Sequence, residues 1–554
     1  MDNQRIILWA LFGGLAFLTW SRWQMENQPA PGSEAPLPVQ TEERPAPVEL
    51  PAVTAAENGE LPVMAPTGDA PLAPAAATRE DQSATIKVET DLLKLEISTA
   101  GGALVKAELK QYPKSKAAPD VPVQLLSNAT GNQYVLGGGL VDGSQGGPTH
   151  LATLTAAKKA YSMAEGSDSL EVPLAWSDGS GVTVEKIYRF RRGRYDIGLD
   201  YRVRNNSQSD WRGLSYLQIR KLHNPPERSM FNVDSYSFHG PVAYDGEKYE
   251  KIDPEDLAGE PLSLQVANGW IAAIEHHFLS AAVPPPGETY NYDAQYEKGI
   301  YTLRASGPAT VVPAGAEATL SAKLFIGPKL QRQLEETAEG LELTVDYGLL
   351  AILAQPLFWL LEFVHGFVGN WGWSIILVTF LIKAAFYKLT EASGRSMAKM
   401  RKLQPRLKAL QERYKDDRQA LSTHMMDLYK REKVNPAAGC LPMLIQIPFF
   451  IAFYWVLLES VEMRQAPFAL WITDLSSRDP FFILPVLMGV AMFVQQKLNP
   501  APPDPMQAKI MSILPIMFTG FFAFFPSGLV LYWLTNSVLS VAQQWNINRK
   551  MHAD

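Results

Sequence analysis

Hydrophobic and polar positions follow three different rules along this chain, and each rule predicts a different kind of element. Residues 6–21 form an apolar run between Arg5 and Arg22. At about 16 residues the run is short for a spanning helix and would also suit the core of a signal peptide. No small-x-small cleavage site follows closely, and the bulky Trp20 and Trp23 suit a membrane–water interface, so residues 1–27 read as an uncleaved transmembrane anchor. Residues 28–83 are rich in Pro, Ala, Glu and Thr and almost free of aromatics. Such a segment cannot bury a core, which predicts a semi-extended tether. From 84 to 343 apolar residues alternate with polar ones, as in Ile86 and Val88, Leu93, Leu95 and Ile97, and Tyr195, Ile197, Leu199, Tyr201 and Val203. Turn pairs such as Asp178-Gly179 and Arg192-Gly193 separate these stretches without helix-period segments between them, predicting an antiparallel β-sandwich.

The last third is apolar with helical spacing. Residues 344–369 contain an apolar stretch interrupted by Gln355-Pro356, Glu362 and His365. Gln355, Glu362 and Gly366 share one helix face, so this segment is expected to lie in the membrane interface rather than cross it. Spans are expected at 371–389, 440–458, 481–496, 511–525 and 528–541, the last two joined by a tight turn at Phe525-Pro526-Ser527-Gly528. With the first run this makes six transmembrane helices. Between them, Met400, Leu403, Leu407, Leu410 and Tyr414, then Leu421, Met425 and Leu428, predict an antiparallel helical hairpin over 390–434. Pro405 is expected to break its first arm and open a new helix.

Charge then orients the whole. Residues 390–434 carry 12 Lys and Arg against 6 acids, whereas 459–480 carry 2 against 4. The hairpin is therefore cytoplasmic, and parity puts both termini, with a short tail at 546–554, on the same side. The β domain falls in the periplasm of a bacterium with an outer membrane. Over the full 554 residues the net charge is −7, which excludes a global positive field for nucleic acid. A single Cys excludes a disulfide framework and Cys-built zinc or iron–sulfur sites. Twelve of 17 Met lie beyond residue 390; thioethers suit surfaces that accept varied apolar partners, although gap-filling in a core is their commoner use.

Candidate chemistry sits inside the spans. Lys383 lies about 18 Å along its helix axis, at a depth where a charge costs about 2.5–3.5 kcal/mol. Thr379, Lys383 and Tyr387 form one polar stripe, Tyr532, Asn536 and Ser540 a second, and Gln446, Gln495 and Gln496 add to them. Together they predict a hydrated cavity; the competing reading is a Lys383 that snorkels to the cytoplasmic interface. The hairpin's Lys399, Arg401, Lys402, Arg406, Lys408, Arg413 and Lys415 could meet ribosomal RNA or anionic lipid, or form only a solvated surface obeying the positive-inside rule. The glycines of 137–147 lack the Lys of a phosphate-cradling loop and read as a flexible loop. His276 and His277 read as strand neighbours pointing to opposite faces, unable to chelate one metal. His223, Glu227 and His239 could form an acid/base group, but surface or core histidines account for them more simply. No catalytic residue, cofactor or metal is expected.

One set of motifs is more specific. Trp373-Ser-Ile-Ile, Ser396-Met-Ala-Lys-Met-Arg-Lys-Leu-Gln-Pro405, Val434-Asn-Pro-Ala-Ala-Gly-Cys440, Gln446-Ile-Pro448, Arg464-Gln-Ala-Pro-Phe-Ala-Leu-Trp471 and Phe525-Pro-Ser-Gly-Leu529 occur in this order. The chain thereby resembles the YidC family of membrane protein insertases of Gram-negative bacteria over nearly its whole length. The resemblance implies a polytopic α-helical membrane protein with a five-helix insertase core and a large periplasmic antiparallel β super-sandwich similar to carbohydrate-mutarotase folds. It implies insertion and folding of nascent membrane proteins in the inner membrane, alone or with the Sec translocon, with ribosome and membrane lipids as further partners and no small-molecule substrate. It also implies a groove holding a cationic residue, typically arginine. Lys383 occupies that position here and gives up the guanidinium fork. Substrate contacts would map to Gln446, Phe450, Tyr532 and Trp533. The basic tail of some relatives is reduced to Arg549 and Lys550, leaving ribosome contact mainly to the hairpin. Two rivals remain open at this point: a solute channel or transporter with a periplasmic receptor domain, and a membrane-anchored carbohydrate enzyme.

Overall fold

The computed structural model describes residues 53–54, 63–64, 84–142, 147–227, 237–259, 261–414, 417–432, 441–498 and 505–553. The expected anchor at 6–21 and nearly all of the tether lie outside them.

Alternation becomes strand wherever one face can be buried. Thr85–Glu89 buries every second side chain, and Asp196–Asn205 runs antiparallel between Val182–Arg191 and Glu317–Pro328. Apart from the short pair Val53–Thr54 and Val63–Met64, the described strands build one sheet of 8 and one of 11, antiparallel throughout their paired strands except where Thr85–Glu89 meets Ala160–Ser162. Tyr188, Tyr201, Trp270 and Phe325 fill the space between the sheets. Tyr134 ties the layers together, donating to the Ala273 carbonyl at 3.0 Å with Ser280 Oγ 2.7 Å away. The small helices α1 (Pro254–Leu257) and α2 (Gln331–Thr337) complete this domain.

Two expectations fail here for local reasons. Gly137, Gly138 and Gly139 are not a loop but part of the buried strand Asn132–Asp142. Neighbouring backbone comes so close that a Cβ on Gly138 would stand 2.2 Å from the Tyr216 carbonyl oxygen, so glycine serves close packing rather than flexibility. His276 and His277 do not alternate across a strand. They occupy the turn between Trp270–Ile274 and Phe278–Val283, closed by Glu275 N donating to Phe278 O at 2.8 Å, and their rings stack 3.8 Å apart.

The helical part begins with α3 (Ala351–Val368) and continues as α4 (Trp371–Ala385), α5 (Tyr387–Arg413), α6 (Arg418–Arg431), α7 (Leu441–Glu459), α8 (Ile483–Leu498), α9 (Pro505–Phe522) and α10 (Ser527–Ala553). On α3, Ala354, Leu357, Phe358 and Leu361 are buried against the bundle. Trp359, Phe363 and Phe367 form an outward aromatic face, beside the exposed strip of Gln355, Glu362 and Gly366. The helix is thus tripartite, and residues 348–368 are long and apolar enough to cross a membrane by composition.

The span expected at 371–389 stops at Ala385, where the chain turns by 64° into α5. Pro405 does not interrupt the hairpin: α5 runs through it to Arg413, and Leu403 and Leu407 on either side are buried. Nor is 546–554 a separate tail, since α10 continues to Ala553. The turn at 525–528 is stitched to the preceding loop, Ser527 N donating to Ser477 O at 2.7 Å and Gly528 N to Leu475 O at 2.8 Å.

The sandwich meets the helices at a polar seam. Arg464 Nη2 donates to Lys114 O at 3.1 Å and Gln465 Nε2 to Pro113 O at 3.0 Å. The Arg464 guanidinium lies 5.3 Å from the Phe278 ring centroid, and His276 Nε2 stands 3.9 Å from Glu459 Oε1.

Candidate functional site: a polar cavity in the helical core

The cavity depends on how α4 enters the bundle. Asn370 caps it, its side chain accepting from Trp373 N at 3.1 Å. Gly372 lets it approach the loop before α8 closely, for a Cβ there would stand 2.1 Å from the Phe468 ring. So placed, α4 turns Thr379 and Lys383 toward α10. Lys383 Nζ donates to Ser540 Oγ at 2.8 Å, and Ser540 Oγ donates to Asn536 O at 2.7 Å.

Around this pair opens a cavity of about 500 Å³ walled by α4, α5, α7, α8, α9 and α10. Of the residues singled out in the sequence, Thr379, Lys383, Gln446, Phe450, Tyr532, Trp533 and Asn536 line it. Tyr387 does not line it, because the bend after Ala385 takes it off the Thr379–Lys383 stripe. The Thr379 hydroxyl is committed to its own helix, donating to Ile375 O at 2.6 Å. Phe450 stacks on Tyr532 with centroids 5.6 Å apart and sits 4.5 Å from the Trp533 ring, giving the cavity one aromatic wall.

Two polar atoms in this lining are orphaned. Trp533 Nε1 and Gln496 Oε1 are buried without a hydrogen-bond partner. A buried donor or acceptor left unpaired costs about 1–3 kcal/mol, so the space suits water or a polar guest better than a dry apolar filling. Sequence reasoning missed Thr390, Ser393, Ser537, Gln543 and Gln544 in the lining. Gln543 and Gln544 were reachable by extending the Asn536–Ser540 stripe another turn; Thr390 and Ser393 enter only because of the bend.

The hairpin presents Lys399, Lys402, Arg406, Lys408 and Arg413 on exposed α5 positions, the side chain of Arg401 and all of Lys415 lying outside the described residues. Asp417 caps α6 by accepting from Gln419 N and Ala420 N, and Arg406 pairs with Glu432 across the hairpin at 2.6 Å. Among the described residues no group of three His, Cys, Asp or Glu side chains is disposed to hold a metal. His223 packs edge-on against Tyr296 and Tyr301 while His239 bonds Ser237, so the two join separate local contacts.

A large antiparallel sandwich followed by a bundle of apolar helices around a lysine-bearing cavity is the build of a membrane protein with an extramembrane domain. Residues 85–360 match the model of the YidC periplasmic domain, and 363–554 match that of the 60Kd inner membrane protein. The chain belongs to the YidC family of membrane protein insertases. It is 47% identical to the membrane protein insertase YidC of Methylococcus capsulatus over 557 residues, covering 100% of this chain and 99% of that one. It is also 47% identical to that of Thioalkalivibrio sulfidiphilus, with the same coverage, and 43% identical to that of Pseudomonas fluorescens, again with 100% and 99% covered. It is thus an insertase acting on membrane proteins, with a periplasmic domain, and not an enzyme.

Proposed function

We propose that insertion proceeds through the cavity at Lys383. The observation that carries this reading is the Lys383–Ser540 contact at 2.8 Å inside a cavity whose walls also hold the unpartnered Trp533 and Gln496 atoms. A hydrophilic segment of a nascent chain exchanges bulk water for the polar groups set in a largely apolar lining, and its carboxylates are attracted to the Lys383 ammonium. Its apolar helix meanwhile leaves into lipid along α7 and α9. No bond is made or broken. Partition of about 20 apolar residues drives the process, and the membrane potential adds about 2.3 kcal/mol per charge per 100 mV.

The same reading places both termini and the basic hairpin in the cytoplasm, the sandwich in the periplasm, and α3 in the interface with its aromatic face toward lipid and its polar strip toward water. The exposed Lys399, Lys402, Arg406, Lys408 and Arg413 suit contact with ribosomal RNA or anionic lipid at the cytoplasmic surface. Insertion proceeds by this chain alone or with the Sec translocon.

Reconstituted liposomes test the mechanism. Protease protection of a single-span substrate with an acidic tail should be retained by Lys383→Arg and fall at least tenfold in Lys383→Ala. Equal insertion by the Ala variant would make Lys383 a snorkelling bystander and leave hydrophobic sliding as the mechanism.

A further inference from the structure

A second cavity, of about 420 Å³, lies at the seam between the sandwich and the helical core, away from Lys383. Its basic lining comes from both sides: Lys114 and Lys116 from the sandwich, Arg464 and Arg478 from the segment between α7 and α8. Arg464 is committed to the Lys114 carbonyl and the Phe278 ring. Lys114, Lys116 and Arg478 make no ion pair among the described residues. The one carboxylate in the lining among the described residues, Asp474, is occupied locally, its Oδ1 accepting from Gln465 N, Ser476 N and Ser476 Oγ and its Oδ2 from Ser477 Oγ. The pocket therefore has uncompensated positive charge.

A further lining group is unusual. His277 is only 8% exposed, and its Nδ1 is buried without a partner. The ring hydrogen-bonds the Glu459 backbone, so its other nitrogen carries the proton and Nδ1 is left as a bare acceptor. Burial, with His276, Lys329 and Arg464 nearby, pushes its protonation well below the usual histidine range and keeps it an acceptor at neutral pH. The ligand that completes this site carries a negative group for the lysines and arginine and, beyond it, a hydrogen-bond donor for Nδ1. On the segment between α7 and α8, Leu470 and Phe481 are 86% and 64% exposed, apolar surface suited to acyl chains beside a charged pocket.

We propose that this pocket binds the headgroup of a periplasmic-leaflet phospholipid, with Lys114, Lys116 and Arg478 holding the phosphate and His277 Nδ1 accepting a hydrogen bond from a terminal hydroxyl or ammonium. A lipid so held would clamp the sandwich to the core at the level of the outer headgroups. The site rests on the membrane orientation given above but not on the role of Lys383.

Native mass spectrometry of the full-length chain in detergent tests it with three probes: phosphatidylglycerol, phosphatidylmethanol, which has the same phosphodiester but no terminal donor, and inorganic phosphate. Wild type should retain phosphatidylglycerol about tenfold better than phosphatidylmethanol, the worth of roughly one neutral hydrogen bond. Replacing the exposed Lys114, Lys116 and Arg478 together by Ala should lower retention of both lipids at least tenfold. His277→Leu should abolish the difference between them; if that variant does not fold, the wild-type comparison still decides. Equal retention of the two lipids, indifference to the triple substitution, or displacement by millimolar inorganic phosphate would overturn the proposal. Lys383→Ala should leave lipid retention unchanged, so loss of insertion with retention intact counts for this site and separates it from the cavity mechanism; loss of lipid in that variant would put the lipid in the groove and overturn the site.

Discussion

Lys383 and Lys186 show how differently a buried ammonium can be used. Lys383 faces a cavity and one hydroxyl. Lys186 is enclosed by the sandwich, where its Nζ donates to the Gly101 and Gly138 carbonyls at 2.9 Å each and lies 5.4 Å from the Tyr188 and Tyr201 ring centroids. Burial pushes it down to about 7, whereas in the unfolded chain a lysine titrates near 10.4. Between these values the unfolded state binds more protons, so the Lys186 contribution to stability rises with pH from about 7 to about 10 and is flat below. Denaturant midpoints of the full chain across that range, compared with Lys186→Met, should show the wild type gaining on the variant as pH rises. Parallel profiles would mean that Lys186 keeps its ordinary proton affinity. The sequence marked Lys383 because a charge inside an apolar run is conspicuous. It did not mark Lys186, which sits in an ordinary alternating strand where only the packing of the opposite sheet reveals that water is excluded.

At the level of elements, the helical core owes its shape to breaks and caps. Asp417→Ala removes the acceptor for the first amides of α6 and should cost about 1 kcal/mol, read as faster hydrogen exchange at residues 418–421 with the sandwich unchanged. Uniform acceleration across the chain would contradict a local cap. Gly372→Ala must displace Phe468 and should cost roughly 1–3 kcal/mol as overpacking, read as a lower midpoint in fluorescence-monitored thermal unfolding. An unchanged midpoint would show that the Phe468 loop yields freely. Spacing of apolar residues announced these helices, but not the bend after Ala385 or the passage of α5 through Pro405. The bend is held by contacts with α10, Gln543 Nε2 donating to Tyr387 O at 3.4 Å and Lys383 Nζ to Ser540 Oγ at 2.8 Å, and α10 has no local sequence relation to it.

For the whole molecule, the proposed mechanism gives the sandwich and the core separable duties. Deleting residues 84–328 should preserve insertion of a small acidic-tailed substrate in the liposome assay; complete loss in a folded deletion variant would assign the activity to the sandwich. The order of the molecule was legible in the sequence because it depends on local quantities: period-two alternation for the sheets, long apolar runs for the core, an excess of Lys and Arg between 390 and 434. The polar stripes on α4 and α10 were legible too, since periodicity alone puts Thr379 and Lys383, or Tyr532, Asn536 and Ser540, on one face. What periodicity could not decide is which stripes meet. That Lys383 reaches Ser540 while Tyr387 turns away, that Gly137–Gly139 pack as strand, and that His276 and His277 stack in a turn beside the helical core all depend on elements distant in sequence. Short-range patterning chooses the elements because burial is a local average along a strand or helix; their juxtaposition is chosen by shape and by the cost of leaving polar atoms unpaired, and those appear only once the chain has closed on itself.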